Sequence, residues 1–355
     1  MSGWQDCLRR QAAAHPAMAP QDAAKLCHQA AFGPAHLLDD PARARQALGE
    51  EFSRCTGAPG APVFEPLSDA YCRCDIAAWK GRGLPADWLW GMFAHTAAEG
   101  PPAGGTAVHA ACLAAVETLA EAGELPFSAA AWRAFRRETP PAGVPRHSET
   151  YRLRERPAYR VVDARYAPLL PVLETLAALP SHSGARVIAI DGRAAAGKST
   201  AAGLLAAALG AGVAHMDDFF LPPALRTPER LAEPGGNVHY ERFAAEVLPH
   251  LAGGGGFRYR RFDCTAMAFG ALRDVPAGAW RIVEGAYSHH PRLGAYADLR
   301  AFFDVSPDEQ RRRILARDGA AAWESFAARW IPMEERYLAA FAVREHAHVV
   351  VAAGG

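Results

Sequence analysis

The chain lacks a net charge, because its 38 lysines and arginines balance its 38 aspartates and glutamates. A neutral chain has no general attraction to nucleic acid or acidic lipid, so we expect neither as a partner. It also lacks an apolar N-terminal segment of signal-peptide length and any uncharged stretch long enough to span a membrane. We therefore expect a cytoplasmic protein that acts on a small-molecule substrate, and homo-oligomerisation is left open.

Cysteines are few and follow no disulfide pattern. The seven are an odd number, scattered in a chain too long to need disulfide staples, which indicates reduced thiols. Cys72 and Cys74, in YCRCD, have C-x-C spacing without the second pair of ligands that a zinc site requires. Small buried side chains are the favoured interpretation, and zinc ligation is the alternative.

A chain of 355 residues is long enough for two domains, each with its own core. Residues 1–137 predict a mostly α-helical region, because alanine-rich runs place apolar residues at helical spacing. Residues 137–162 look extended and basic. From Arg186 onward, short apolar runs alternate with helical stretches, which predicts a parallel sheet with helices on both faces. We therefore predict two domains, 1–162 and 163–355. The predicted strands are 186–191, 212–217, 281–287, 299–305 and 348–353.

The segment DGRAAAGKST follows the first of these strands and matches the spacing G-x-x-x-x-G-K-[ST]. Glycines let successive N–H groups point at phosphate oxygens, the lysine adds a positive charge, and the serine hydroxyl reaches Mg²⁺. The alternative is a tight strand-to-helix turn without a ligand. We favour a nucleotide site, with expected contacts from Gly192, Arg193, Ala194, Ala195, Ala196, Gly197, Lys198, Ser199 and Thr200.

Two acids, Asp217 and Asp218, stand where the next predicted strand ends. Parallel sheets bind ligands outside the carboxyl ends of their strands, so Asp217 should lie beside the γ-phosphate. A carboxylate there can accept the proton of an attacking hydroxyl or help to hold a metal through water. The alternative is an aspartate that caps a helix, a role that suits Asp218 better.

Four segments resemble the uridine kinase-like group of P-loop kinases, kin to phosphoribulokinase and bacterial pantothenate kinase: IAIDGRAAAGKST, HMDDFF, RIVEGAY and RRRILARD. The resemblance covers residues 186–351 and implies an α/β P-loop kinase domain that uses ATP and Mg²⁺. It implies that Asp217 is the catalytic base and that Glu284 lies near the magnesium bound by Ser199. A strand-end salt bridge is the alternative for Glu284.

The same resemblance implies a lid helix at residues 311–317 that closes over ATP. Arg313 and Arg317 share one helical face and are the candidate contacts, because a guanidinium suits phosphate oxygens. A solvated helix face is the alternative.

The chain departs from the family pattern in places. Ala195 replaces a third glycine that the family often has, a change that should leave the phosphate cradle intact. His239 stands where uridine kinases carry an aspartate for the ribose hydroxyls, which argues against plain uridine phosphorylation. Asp263 either faces the acceptor or holds a turn. Tyr287 and His290 follow the E-G element as further candidate substrate contacts. For His289 and His290, packing or solvent exposure is the favoured interpretation, and metal binding is a further alternative.

The N-terminal half contains no motif that identifies a domain. Its aromatic and basic side chains have two interpretations. They form a polar pocket for an anionic or planar ligand, or they tie an extended arm to a helical core. The second interpretation is favoured. These side chains are His36, Arg73, His147, Tyr151, Tyr159 and Arg160.

The sequence thus predicts a Mg-ATP-dependent kinase that transfers the γ-phosphoryl group to a hydroxyl of a small metabolite. Lys198 and Asp217 are the predicted catalytic residues, and the family suggests a nucleoside or nucleoside-like acceptor. The main alternative is a nucleotide-dependent switch ATPase that controls a partner through the helical half. In a third hypothesis, that half carries out separate chemistry.

Overall fold

The computed structural model describes residues 2–138, 146–181 and 183–352. The chain forms two compact units, an N-terminal unit of Met1–Ala167 and a C-terminal unit of Pro168–Gly355. The units therefore divide slightly later than the boundary of 162/163 drawn from the sequence. Within the described ranges, every helix is too short or too polar to cross a lipid bilayer.

More than half of the N-terminal unit is helical, and it also contains a small sheet that was not predicted. Its three strands pair antiparallel in the order β1-β2-β3. They escape sequence analysis because β1 is very short and ends in proline, while β3 is far away in the chain. The helices are α1 (Ser2–Ala14), α2 (Pro20–Phe32), α3 (Pro41–Arg54), α4 (Ile76–Gly81), α5 (Ala86–Glu99), α6 (Gly105–Glu121), α7 (Ala129–Glu138) and α8 (Glu149–Arg154). The strands are β1 (Phe64–Pro66), β2 (Tyr71–Asp75) and β3 (Tyr159–Asp163).

The stretch predicted to be extended, residues 137–162, is only partly so. Its last residues pair with β2, but α8 lies within it and corrects the prediction. The hydroxyl of Ser148 accepts the backbone N–H of Tyr151 and so caps this short helix. Residues 139–145 of the stretch lie outside the described residues.

The core of the N-terminal unit packs α2 against α6 and α7, with Leu26, Val116 and Trp132 among its buried side chains. All seven cysteines have free thiols. Cys72 and Cys74 are buried in β2, and burial raises the pKa of the Cys72 thiol to about 12. This environment agrees with packing rather than metal ligation.

The main sheet of the C-terminal unit is parallel, as the buried apolar runs predicted. Its order is β10-β9-β4-β8-β5, and β6 and β7 form a separate antiparallel hairpin. Residue 353 of the predicted last strand lies outside the described residues. The strands are β4 (Arg186–Gly192), β5 (Gly212–His215), β6 (Phe257–Asp263), β7 (Ala268–Val275), β8 (Trp280–Glu284), β9 (Leu299–Asp304) and β10 (Val349–Ala352).

Helices lie in the β4–β5, β5–β6 and β9–β10 connections, whereas the connection from β8 to β9 contains only a 3₁₀ turn (Pro291–Leu293). In α14 the backbone of Gly319 is not helical (φ 83°), so this helix is kinked. The helices are α9 (Leu170–Ala178), α10 (Lys198–Leu209), α11 (Pro228–Ala232), α12 (Tyr240–Glu246), α13 (Leu248–Leu251), α14 (Pro307–Ser325) and α15 (Ile331–Ala340).

The order of the strands in the parallel sheet brings the candidate site residues to one edge. The chain runs from β4 through α10 to β5, yet β8 lies between these two strands in the sheet. All three strands are parallel, so their carboxyl ends meet at one edge. That edge carries the glycine-rich loop after β4, Glu284 at the end of β8, and Asp217 just after β5.

Candidate active site

The glycine loop, residues 192–199, turns sharply from β4 into α10. Gly192 has φ 140°, and a Cβ there would lie 2.0 Å from the carbonyl oxygen of Phe303, so this position requires glycine. Gly197 has φ 92° with open space around it, so its backbone conformation, rather than crowding, favours glycine. Ala195, the position without the expected glycine, still adopts a left-handed φ of 59°. The loop therefore keeps its shape at a strain cost of about 1–2 kcal/mol.

Lys198 begins α10 and folds back over the loop. Its Nζ donates to the carbonyl oxygens of Gly192 (2.7 Å) and Arg193 (2.8 Å). The Arg193 side chain points away from the loop and pairs with Glu335 (2.7 Å) and Asp304. The ammonium is thus held at the loop beside the cavity, and within residues 2–138, 146–181 and 183–352 it forms no ion pair with a carboxylate.

A cavity of about 850 Å³ opens beside the loop. It collects residues from several separate segments, among them the loop, the ends of β5 and β8, α14 and α15. Gly192, Arg193 and Ala196, also predicted to contact the nucleotide, do not line it. The predicted residues that line it are Ala194, Ala195, Gly197, Lys198, Ser199, Thr200, Asp217, Glu284, Tyr287, Arg313 and Arg317.

The two adjacent aspartates have different environments. Asp217 lies in a 3₁₀ turn after β5 and opens into the cavity. The surrounding protein limits hydration of its carboxyl and raises its pKa, while the nearby Lys198 ammonium opposes that shift. Asp218 is buried and accepts from the hydroxyl of Tyr259 (2.8 Å) and from Arg273 (2.9 Å). It anchors the β6–β7 hairpin rather than capping a helix, so only Asp217 is available to a ligand.

Glu284 is buried at the end of β8, where its two oxygens have separate partners. Oε2 accepts from the Ser199 hydroxyl (3.1 Å), and Oε1 lies 2.5 Å from Nδ1 of His215. The contact with His215 is a salt bridge only when the imidazole is protonated, so the strand-end salt bridge stays an alternative for Glu284.

The donor set at this point suits magnesium. Within the described ranges, no three His, Cys, Asp or Glu side chains are arranged to hold a metal ion. Mg²⁺ does not need such a cage, because it usually takes one or two protein oxygens and completes its octahedron with phosphates and water. Ser199 and Glu284 place a hydroxyl and a carboxylate side by side at the cavity wall. These oxygens therefore fit a magnesium ion that arrives with a nucleotide.

The two predicted lid arginines both reach the cavity from α14. Arg313 donates to Glu309 (2.6 Å) and to the carbonyl oxygen of Ala195 in the glycine loop (3.3 Å). Arg317 pairs with Asp318 (2.8 Å) and is largely exposed. Each guanidinium is thus held by an acid of its own helix and faces the cavity.

Three predicted substrate contacts lie outside the cavity. His239 accepts a backbone N–H in the first turn of α12 (3.3 Å), so it is a helix cap. Asp263 accepts two backbone N–H groups of the β6–β7 turn (2.8 and 3.1 Å), which fits the turn alternative. His290 is buried and stacks on Tyr240 at 5.0 Å between ring centroids, which fits the packing alternative. Of the four residues predicted for the acceptor besides Asp217, only Tyr287 lines the cavity.

Sequence analysis did not single out Glu334 on α15. Its carboxylate lines the cavity and accepts the backbone N–H of Ala194 with both oxygens (2.9 and 3.0 Å). Burial raises the pKa of Glu334 to about 7, although the Lys198 ammonium and the Ala194 N–H oppose the shift. No spacing signal links residue 334 to the loop, because α15 lies more than a hundred residues further along the chain.

The matches to known proteins come from solved structures. No protein-family model matches the chain, and no curated protein matches its sequence. Among solved structures, a possible uridine kinase from Bacillus stearothermophilus has 20% identity and a TM-score of 0.39, covering 52% of this chain and 96% of that chain. A candidate fructose transport system kinase from Silicibacter sp. TM1040 has 23% identity and a TM-score of 0.38, covering 48% of this chain and 91% of that one. TT1252 from Thermus thermophilus has 19% identity and a TM-score of 0.31, covering 49% of this chain and 91% of that chain.

Proposed function

We propose that the C-terminal unit is a Mg-ATP-dependent kinase that transfers the γ-phosphoryl group to a hydroxyl of a small metabolite. One observation carries the proposal: Lys198, Ser199, Asp217 and Glu284 line the same cavity at the carboxyl edge of a parallel sheet. A loop that binds phosphate, a carboxylate that can take a proton and an oxygen pair that fits magnesium are the parts that phosphoryl transfer requires.

Each residue has a distinct role in this proposal. The amides of the glycine loop and the Lys198 ammonium hold the phosphates of ATP, and the lid arginines Arg313 and Arg317 offset the charge that develops during transfer. Asp217 accepts the proton of the acceptor hydroxyl as its oxygen attacks the γ-phosphorus. Its raised pKa keeps it a better proton acceptor than an ordinary aspartate.

Magnesium, when bound, would neutralise charge on the phosphates and orient them. Ser199 and Glu284 are the residues that would hold it. His215 contacts the second oxygen of Glu284 and so fixes the orientation of that carboxylate.

The part of the cavity beyond Asp217 would receive the acceptor. Phe220 and Tyr287 supply aromatic wall, and Arg226 and Asn237 supply polar groups. Asn237 is 6% exposed, and its Oδ1 makes no hydrogen bond within the described part of the chain. A buried acceptor atom without a partner suits a ligand that donates a hydroxyl or amine hydrogen. A nucleoside or similar polyhydroxylated compound has such groups.

The test is an ADP-release screen over nucleosides, vitamins, sugars and amino acids, with mass spectrometry of the products. The expected result is one compound class that gains about 80 Da, the mass of one phosphoryl group, at a rate that depends on the acceptor. Lys198→Ala should lose this activity, whereas Arg258→Gln, which alters an exposed pair on the β6–β7 hairpin, should keep it. ATP turnover that never depends on an acceptor would instead identify a switch ATPase, and full activity of Lys198→Ala would exclude the kinase.

A further inference from the structure

Glu334 on α15 is a buried acid that occupies a hydrogen-bond donor of the glycine loop. The residue is 5% exposed, and both carboxylate oxygens accept the backbone N–H of Ala194, at 2.9 and 3.0 Å. Within the described residues of the C-terminal unit, no lysine, arginine or histidine forms an ion pair with it. Ala194 and Glu334 both line the cavity in which the phosphates of a nucleotide would lie. An acid of the protein itself therefore stands where an anionic ligand is expected.

Two helices hold the Ala194 peptide. Gln310 on α14 donates to the Ala194 carbonyl oxygen (3.1 Å), while Glu334 accepts from the N–H of the same residue. The next residue on α15, Glu335, pairs with Arg193 of the loop (2.7 Å) and does not line the cavity. Helix α15 is thus tied to the loop independently of Glu334, so the Glu334 carboxyl can gain or lose a proton without releasing the helix.

The groups around Glu334 compensate its negative charge poorly. Burial disfavours the ionised carboxylate, as do two neighbouring acids, whereas the Lys198 ammonium and the Ala194 N–H favour it. The pKa of Glu334 is consequently raised to about 7. The Tyr287 hydroxyl stays uncharged near neutral pH, because burial raises its pKa. The charged or titratable groups at this part of the loop are Lys198 on α10, Asp191 on β4, Glu335 on α15, Tyr287 after β8 and Arg313 on α14.

A phosphate group bound at the loop would change this balance. It brings further negative charge into the cavity that Glu334 lines, and a like charge nearby disfavours ionisation of a carboxyl group. The ionised carboxylate also competes with phosphate oxygens for the Ala194 N–H, whereas a neutral carboxyl is a weaker acceptor. The loop should therefore bind phosphate more tightly when Glu334 carries a proton.

We propose that Glu334 is a proton-linked gate of the glycine loop: the loop binds the phosphates of a nucleotide together with one proton, which an oxygen of the Glu334 carboxylate takes up from solvent. Glu334 is then a positioning residue, because it acts on the nucleotide through the loop and not in the transfer step. The gate rests on the proposed binding of a nucleotide at the loop, but not on phosphoryl transfer or on the identity of the acceptor.

Titration calorimetry on the full chain counts the proton directly. The probe is the non-hydrolysable ATP analogue β,γ-imido-ATP with magnesium, titrated near pH 7.5 in two buffers that differ in their heat of ionisation. At this pH about a quarter of the Glu334 carboxyls carry a proton before binding, so the wild-type protein should take up roughly 0.7 proton more than Glu334→Gln. Any proton that the analogue itself gains or loses cancels in this difference, because both proteins bind the same ligand.

The matched control is Glu335→Gln, one residue further along α15. Its side chain pairs with Arg193 outside the cavity, so this variant should still take up the proton on binding. Equal uptake by the wild type and Glu334→Gln, with both binding the analogue, would overturn the gate and leave the nucleotide site standing. If the wild-type protein does not bind the analogue, the proposed nucleotide site is refuted and the gate with it.

The pH dependence of the affinity is a second measurement. Between about pH 7 and pH 8, the protonated fraction of Glu334 falls from about a half to about a tenth, so the wild-type affinity should fall roughly fivefold relative to that of Glu334→Gln. The amide oxygen of the variant can still accept the Ala194 N–H, so the loop keeps this contact. A ratio of the two affinities that stays constant with pH would mean that Glu334 only supports the loop, which would overturn the gate.

Discussion

Two buried carboxylates, one in each unit, stand near a lysine yet have pKa values shifted in opposite directions. Burial raises the pKa of Glu334 to about 7 despite the Lys198 ammonium. Burial also opposes ionisation of Asp22, but hydrogen bonds from His147, Ser148 and Ala19 outweigh it and lower the pKa. Glu334 has one backbone donor, whereas Asp22 has four hydrogen bonds. In these two sites the opposite pKa shifts follow the difference in hydrogen-bond donors, although each carboxylate has a lysine nearby.

This difference sets the charge that each carboxylate carries near neutral pH. Asp22 stays ionised, because four hydrogen bonds stabilise its charge. Glu334 lies on the wall of the cavity beside the glycine loop, and its pKa is raised to about 7. Protonation of Glu334 removes a negative charge that would otherwise oppose a nucleotide phosphate, so the C-terminal site can reduce its own repulsion.

Removing the charge of Asp22 should have the largest effect on stability. Asp22→Asn replaces one acceptor oxygen by an amide that faces N–H or O–H donors, which should destabilise the N-terminal unit by about 2–4 kcal/mol. Urea unfolding monitored by tryptophan fluorescence would measure this loss. Asp39→Asn, an exposed acid, is the control and should change stability little. Equal unfolding midpoints for the two variants would show that the Asp22 network contributes nothing.

Substituting Glu334 should raise stability, whereas substituting Asp22 lowers it, and the gain should appear only at higher pH. Glu334 binds its proton more tightly in the folded protein than at its usual pKa of 4.5, so wild-type stability should fall as pH rises from about 4.5 to about 7. Glu334→Gln removes the buried charge and should stabilise the C-terminal unit by about 2–3 kcal/mol at pH 8 but hardly at pH 5. Glu335→Gln, whose half-exposed side chain pairs with Arg193, is the matched control. Its own effect on stability should be about 1 kcal/mol or less, and it should lower the Glu334 pKa because the Glu335 charge raises it.

Asp22 should give the reverse pH dependence. Its pKa is lowered, so the stability it contributes is complete above the usual value of 3.8 and is lost as pH falls through the folded-state value. Unfolding midpoints between pH 3 and pH 8 would therefore separate the two carboxylates. If the stability changes caused by Asp22→Asn and Glu334→Gln depend on pH in the same way, the two carboxylates do not differ as described.

The smallest expected effect is at Ala195. Ala195→Gly should relieve the left-handed strain of about 1–2 kcal/mol, but the more flexible unfolded chain offsets part of it. A net stabilisation of less than about 1 kcal/mol should appear in the urea midpoint, with ATP affinity unchanged. A net destabilisation would mean that the alanine methyl group makes contacts that favour the loop.

The parts of the site that could be predicted have local signals. The glycine loop is a continuous segment, and Asp217 and Glu284 each follow an apolar strand whose end must reach the ligand edge of a parallel sheet. Whether these residues bind ATP, magnesium and an acceptor stays a prediction. The parallel sheet itself is confirmed, because its buried strands are short apolar runs with little polar interruption.

The remainder depends on side-chain direction and on distant contacts. His239, Asp263 and His290 occur in the segments expected near the substrate, but a helix cap, a turn and a stacked pair hold their side chains elsewhere. Glu334 and the Asp22 network are assembled from segments far apart in the chain, so no residue spacing could have indicated them. Only the structure shows their burial and their hydrogen bonds.

The central claim is that Asp217 acts on the acceptor while the glycine loop binds ATP, and Asp217→Asn tests it most directly. The amide keeps the size of the side chain but cannot accept the proton, so transfer to the acceptor identified by the screen should fall by about 100-fold or more. ATP affinity, measured by titration calorimetry on the same protein, should change by no more than about threefold. Transfer at the wild-type rate, or a loss of ATP binding as large as the loss of transfer, would contradict the account.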